Sequence, residues 1–213
     1  MEEFRQKFWE LVGQANNIAI TTHHGPDGDA LGSVLALKQI IGQKQPAKKV
    51  RIIVTGKKLE RFENFTNFNQ IDFVEDISQA LAGVDLLILL DASEYHRFSL
   101  QPEELKNNLS AKTICIDHHA SPPNQFDLLL WVPEEPATAV LIYKIFEKNF
   151  TLDKPLAEAL LLGLLSDTGN FAYLKPNQSG VFLIAKRLVE VAQVEIQAFL
   201  ASYQGIPARV LEL

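Results

Sequence analysis

Short, nearly unbroken apolar runs alternate along this chain with stretches in which apolar residues recur every three or four positions. The runs "NIAITT" (17–22), "VRIIV" (50–54), "LLILLD" (86–91) and "KTICID" (112–117) predict buried strands rich in Ile, Val and Leu. Two shorter runs, "IDFV" (71–74) and "LLLWV" (128–132), predict further strands. Helical spacing covers 30–42, 76–83, 101–108, 137–149, 155–169, 179–192 and 194–203, with Pro155 suited to a first turn. Apolar strands alternating with helices imply an α/β fold with a mainly parallel sheet covered by helices on both faces. Such sheets bind ligands outside the carboxyl ends of their strands, so the active site is expected there.

Composition narrows the function classes. With 47% hydrophobic and 22% charged residues over 213 positions, the chain is neither disordered nor fibrous. A net charge of −6 argues against non-specific duplex binding, which needs a basic face. A single cysteine, Cys115, excludes an internal disulfide framework and points to a reducing compartment. The opening "MEEFRQKFWELVGQANN" lacks the order of a signal peptide, and no apolar run approaches the roughly 18 residues of a membrane span. A cytoplasmic protein without membrane partners is the expectation.

The chemistry concentrates where apolar segments end. "TTHHGPDGDALGS" (21–33) places two histidines and two aspartates just past the first strand. Asp27 and Asp29 are two apart, Gly28 relaxes the backbone between them, and Asp29 is suited to cap a helix beginning near Ala30. A lone D-G-D is more often a capped turn than a site. An EF-hand loop fails at Leu31 and Lys38, where ligands belong, and no phosphate-binding P-loop is present. Three further ends repeat the pattern, however. "LLILLDAS" closes on Asp91 and "TICIDHHAS" on Asp117, His118 and His119, while "LAEALLLGLLSDTGNF" reaches Asp167, Thr168, Gly169 and Asn170. Four carboxylates converging on one rim could not all stay ionised without counter-charge. Two divalent cations supply it, and imidazole with carboxylate suits Mn²⁺, with Mg²⁺ or Co²⁺ as substitutes. Two metals about 3.5–4 Å apart are the usual clamp for phosphoryl transfer to water.

Together "HHGPDGDALGS", "LLDAS", "IDHHAS" and "GLLSDTGNF" resemble, in order and rough spacing, the four motifs of the DHH phosphoesterase superfamily, over about residues 15–200. The resemblance is strongest to the branch acting on short oligoribonucleotides, linear dinucleotides and pAp. It implies that His23 and Asp27 hold one metal, that Asp29, His118 and Asp167 hold a second, and that Asp91 bridges both. It places His119 against the scissile phosphate, or as general acid to the leaving oxygen, with Asp117 orienting its neighbours and His24 at a variable position. Arg97 resembles an arginine that often follows the second motif, with phosphate binding and a structural ion pair both open. Thr168 and Asn170 are expected to shape the fourth-motif turn. Residues 1–200 are then the catalytic domain, and 201–213, with "IPARVLEL", the start of a linker helix toward a second domain that grips the nucleotide end of the substrate. The implied partner is a nucleotide or short oligonucleotide, with a homodimer left open. Should recognition instead lie within this chain, Arg97 and the Lys57–Lys58 loop are the first candidates. The alternatives are a pyrophosphatase or polyphosphatase of the same superfamily and a non-catalytic metal- or nucleotide-sensing domain.

Overall fold

A computed structural model describes residues 1–204. Six strands, β1 (Asn17–Thr22), β2 (Lys49–Thr55), β3 (Ile71–Val74), β4 (Leu86–Leu90), β5 (Lys112–Asp117) and β6 (Leu128–Trp131), form one sheet in the order β3-β2-β1-β4-β5-β6. Every neighbouring pair is parallel. The helices are α1 (Glu2–Gln14), α2 (Gly28–Lys44), α3 (Tyr95–Phe98), α4 (Pro102–Asn108), α5 (Thr138–Phe146), α6 (Lys154–Asp167), α7 (Val181–Ala192) and α8 (Ile196–Gln204). Chain direction across the sheet reverses between β1 and β4. A crevice opens at such a switch point at the carboxyl ends of the two strands, because their connections leave toward opposite edges.

Both faces of the sheet are covered, but unequally. Strand alternation sends Ile18, Ile20, Ile88 and Ile116 into a large core shared with α1, α2, α5, α6, α7 and α8. Ala19, Ile53, Leu87 and Leu89 face a smaller core closed by Ile77, Phe98 and Leu105, so short α3 and α4 suffice there. The N-terminal stretch, given no element above, forms α1 because Phe4, Phe8 and Val12 recur at helical spacing and bury together. Phe8 meets Phe146 of α5 at 4.7 Å between ring centroids.

The helix expected over 76–83 does not form. That segment is a single 3₁₀ turn, Ile77–Gln79, followed by Gly83 at φ +73°. Its nucleating carboxylate is committed elsewhere: Asp76 accepts from the Ser78 amide at 2.9 Å, the Ser99 hydroxyl at 2.7 Å and the Leu100 amide at 2.6 Å. Burial alone would raise the Asp76 carboxyl, but these hydrogen bonds outweigh it and hold the group below its ordinary value. The turn is thereby tied to the α3–α4 corner and is not free to propagate. Of the linker expected over 201–213, residues 201–204 continue α8, and the remainder lies outside the described residues.

Helices α2 and α6 approach through a glycine. A Cβ at Gly32 would lie 2.3 Å from the Ala159 carbonyl oxygen, which is backbone and cannot swing aside. Gly32→Ala is therefore expected to cost about 3 kcal/mol or more, at the upper end of overpacking effects. A fall in the urea midpoint at unchanged slope would show it; an unchanged midpoint would refute this packing.

Candidate metal centre

Strand ends and helix starts bring the sequence-marked residues to one place. Beyond β1 the chain turns into α2, and the cap is Asp27, not Asp29 as the sequence suggested. Asp27 Oδ1 accepts from the Asp29 amide at 2.9 Å and the Ala30 amide at 3.1 Å, and the helix begins at Gly28. Asp29 is then carried into the first turn, where it is fully buried. Its Oδ2 accepts from the Thr138 amide at 2.6 Å and its Oδ1 from the Ala139 amide at 2.9 Å. Asp91 follows β4 at φ +62°, left-handed for a non-glycine residue, so the strand predicted to 91 ends at Leu90. Asp91 Oδ1 accepts from the Thr138 hydroxyl at 2.9 Å, while Oδ2 is buried and makes no hydrogen bond.

Two imidazoles aim the same nitrogen inward. His23 Nδ1 lies 3.1 Å from its neighbour's carbonyl, that of His24, and His118 Nδ1 lies 3.1 Å from the Glu135 carbonyl. A carbonyl only accepts, so in the neutral rings the proton sits on Nδ1 and Nε2 keeps its lone pair. His23 Nε2 is 3.5 Å from Asp91 Oδ2. His118 Nε2 is 2.9 Å from Asp167 Oδ2, 3.4 Å from Asp91 Oδ1 and 3.8 Å from Asp29 Oδ2, yet the alignments make no hydrogen bond. Backbone-anchored Nδ1 with Nε2 aimed at carboxylates is the arrangement metal-ligating histidines adopt. Ligand atoms cluster as His23–Asp27–Asp91, as Asp29–His118–Asp167 and as Asp91–His118–His119, each set within 4.8 Å. Acidic and imidazole groups are thus positioned to hold metal, and the buried, unpartnered Asp91 Oδ2 and His118 Nε2 are the atoms such an ion would satisfy.

The protonation pattern expresses the same need for positive charge. Burial first, then the Asp91 charge, raises the Asp27 carboxyl, and burial with Asp91 and Asp167 raises Asp29 well above its ordinary value. Burial would also raise Asp91 and lower His118. The close imidazole–carboxylate approaches and the charge attraction between them, with His23 and Asp167 contributing, reverse both, holding Asp91 down and pushing His118 to about 11. Asp91, between the two inward-facing imidazoles, is thus held toward its ionised form, while Asp27 and Asp29 are pushed toward protonation.

His119 joins the set at its edge, its Nδ1 3.8 Å from Asp91 Oδ1. Its Nδ1 is 2.8 Å from Asp117 Oδ1, its amide donates to the same oxygen at 3.1 Å, and its carbonyl accepts from the Trp131 indole at 2.6 Å. Asp117 is fully buried, whereas the His119 side chain is 42% exposed, and with Nδ1 engaged Nε2 is its remaining ring nitrogen. The hydrogen bond to Asp117 raises the His119 pKa. Arg97 reaches the site's loops through its backbone, its carbonyl accepting from the His24 amide at 2.7 Å. Thr168 receives the Phe171 amide on its hydroxyl at 3.0 Å, and Gly169 and Asn170 take left-handed backbone, forming the turn after Asp167. The contributions of Thr138 and Trp131 escaped the sequence reading. Thr138 starts an apolar helix, but its partners lie far away in the chain. Trp131 looked only like the end of a weak strand.

Residues 17–164 match the DHH family, N-terminal domain, and the chain belongs to that family. It is 30% identical over 179 residues to a bifunctional oligoribonuclease and PAP phosphatase of Mycoplasma genitalium, covering 82% of this chain and 53% of that protein. It is 26% identical to a probable manganese-dependent inorganic pyrophosphatase of Lactococcus lactis, covering 87% and 59%. An exopolyphosphatase-related protein from Bacteroides fragilis shares the fold at a TM-score of 0.85 and 21% identity, over 99% of this chain and 63% of that one. The chain spans little more than half the length of the curated relatives it matches. Among the described residues, no helix is long and apolar enough to cross a membrane.

Proposed function

We propose that residues 1–200 form the catalytic domain of a cytoplasmic phosphoesterase. It hydrolyses phosphoester bonds in short oligonucleotides, linear dinucleotides or pAp with two divalent cations, Mn²⁺ foremost. The observation that carries this reading is the position of Asp91, which groups with His23 and Asp27 and also lies 3.4 Å, through Oδ1, from the Nε2 of His118, the histidine that groups with Asp29 and Asp167. His23 and Asp27 would hold one ion and Asp29, His118 and Asp167 the other, with Asp91 between them. Bound there, such cations lower the pKa of water and screen the charge of a phosphate. The chain's own residues supply the rest. Asp117 fixes His119 through Nδ1, so Nε2 is the nitrogen free to donate a proton to the leaving oxygen. The Trp131 indole holds the His119 backbone while that proton moves. The relative named as an oligoribonuclease and PAP phosphatase supports the nucleotide class, and the one named as a pyrophosphatase supports manganese.

Metal that binds only the folded chain stabilises it by mass action. A hundredfold excess over Kd adds about 2.7 kcal/mol per site. For a domain of this size that is roughly 5–10 °C in melting temperature. Mn²⁺ should therefore raise the melting temperature and a chelator reverse the rise. A substrate panel with added Mn²⁺ tests the chemistry. Faster hydrolysis of pAp or a dinucleotide than of inorganic pyrophosphate supports the proposal, and the reverse order favours the pyrophosphatase alternative. A melting curve unmoved by millimolar Mn²⁺ would count against a metal-dependent enzyme of either kind.

A further inference from the structure

We propose that Thr138, at the start of α5, is a positioning residue that sets the rotation of the Asp91 carboxylate and so couples the two metal positions. The proposal rests on the two-ion reading above. Asp91 sits on left-handed backbone, a conformation costing a non-glycine residue about 1–2 kcal/mol that persists only where the surroundings enforce it. Its amide is fixed by the Ile116 carbonyl at 3.0 Å, but the carboxylate torsion itself is intrinsically soft. The Thr138 hydroxyl resolves that freedom. It donates to Oδ1 at 2.9 Å and leaves Oδ2 buried, unpaired and 3.5 Å from His23 Nε2. With the hydroxyl removed, only the longer approaches of His23 Nε2 to Oδ2 at 3.5 Å and of His118 Nε2 to Oδ1 at 3.4 Å orient the carboxylate.

The same residue reaches the other cluster. Amides in the first turn of a helix have no intrahelical partner, and here the Thr138 and Ala139 amides are both spent on Asp29. The positive end of α5 thus faces a fully buried carboxylate and offsets part of its charge. Thr138 therefore contacts one carboxylate grouped with His23 and Asp27 and another grouped with His118 and Asp167. The helix that carries it is braced from behind. A Cβ on Gly163 of α6 would lie 2.5 Å from both Ala139 Cβ and Asp29 Oδ1, so α6 closes directly on this contact.

The test is Mn²⁺ binding by titration calorimetry on wild type, Thr138→Val and Thr138→Ser, with melting temperatures in chelator and in Mn²⁺. Thr138→Val should remain folded in chelator but bind both ions about 10–100-fold more weakly, the scale for groups that orient metal ligands. Its Mn²⁺-induced rise in melting temperature should shrink accordingly. Thr138→Ser keeps the hydroxyl and should bind nearly as wild type does. If the valine variant does not fold, Thr138→Ala makes the same comparison without a methyl against the carboxylate. Unchanged affinity in the hydroxyl-free variant overturns the proposal, as does an equal loss in Thr138→Ser. Wild type that takes up no Mn²⁺ overturns the two-ion reading itself, which is a different result.

Discussion

Asp91→Asn is expected to lower kcat by at least about 10²–10³-fold, the scale of deleting one electrostatic group from a catalytic site. It should also weaken both metal positions together. The carboxylate is 1% exposed and lies within 3.5 Å of His23 Nε2 through one oxygen and 3.4 Å of His118 Nε2 through the other. An asparagine of the same shape offers one acceptor oxygen and no charge, so whichever way it turns, one position loses its shared ligand and the other keeps only an uncharged oxygen. Asp27→Asn is the control. Asn caps helices about as well as Asp, so α2 should keep its start while a single carboxylate charge is lost. That variant should weaken one position only. Calorimetric titration with Mn²⁺ separates the two cases, one transition being weakened in Asp27→Asn and both in Asp91→Asn. An Asp91→Asn protein that still takes up two ions at wild-type affinity would refute a shared ligand.

The site residues were visible in the sequence because each stands where an apolar run stops. Asp91 and His118 follow, and Asp117 ends, strands whose burial is written in their own Ile and Leu content, and a parallel sheet sends such ends to one rim. Contacts between distant segments were not visible. Asp29 spends both oxygens on α5, more than a hundred residues later, and no local pattern separates that from the helix cap it resembles. The cap went to Asp27 because the helix starts at Gly28, earlier than apolar spacing indicates. The false helix over 76–83 has the same origin. "DISQALAG" carries helical spacing, but Asp76 is claimed by Ser99 and Leu100 of another segment. Helix α1 was missed for the opposite reason, since Phe4, Phe8 and Val12 keep helical spacing but are thinly spread among charges. Periodicity reports burial within a segment, whereas these outcomes were decided by what arrived from elsewhere.

His119→Ala should cost about 10²–10⁴-fold in kcat, the range for a general acid, while leaving most of the Mn²⁺ affinity in place. The separation follows from geometry. His23 and His118 present Nε2 to the carboxylates, whereas His119 has its Nδ1 bound by Asp117 and its ring partly in solvent. A general acid must be protonated at the working pH, and the hydrogen bond that His119 donates to the buried Asp117 raises the histidine pKa above the ordinary 6.5. Activity should then fall on the alkaline side as His119 loses its proton, with the falling limb above the ordinary histidine value. Asp117→Asn removes the anion that stabilises imidazolium, which lowers the pKa and moves that limb toward acid pH. Below the new limb the variant should retain much of its rate, because the proton donor itself is still present. A pH–rate profile of the two proteins at saturating Mn²⁺ reads the displacement directly. A limb that stays in place, or moves to higher pH, would mean that the proton comes from elsewhere and that the Asp117–His119 pair serves the fold instead of the reaction.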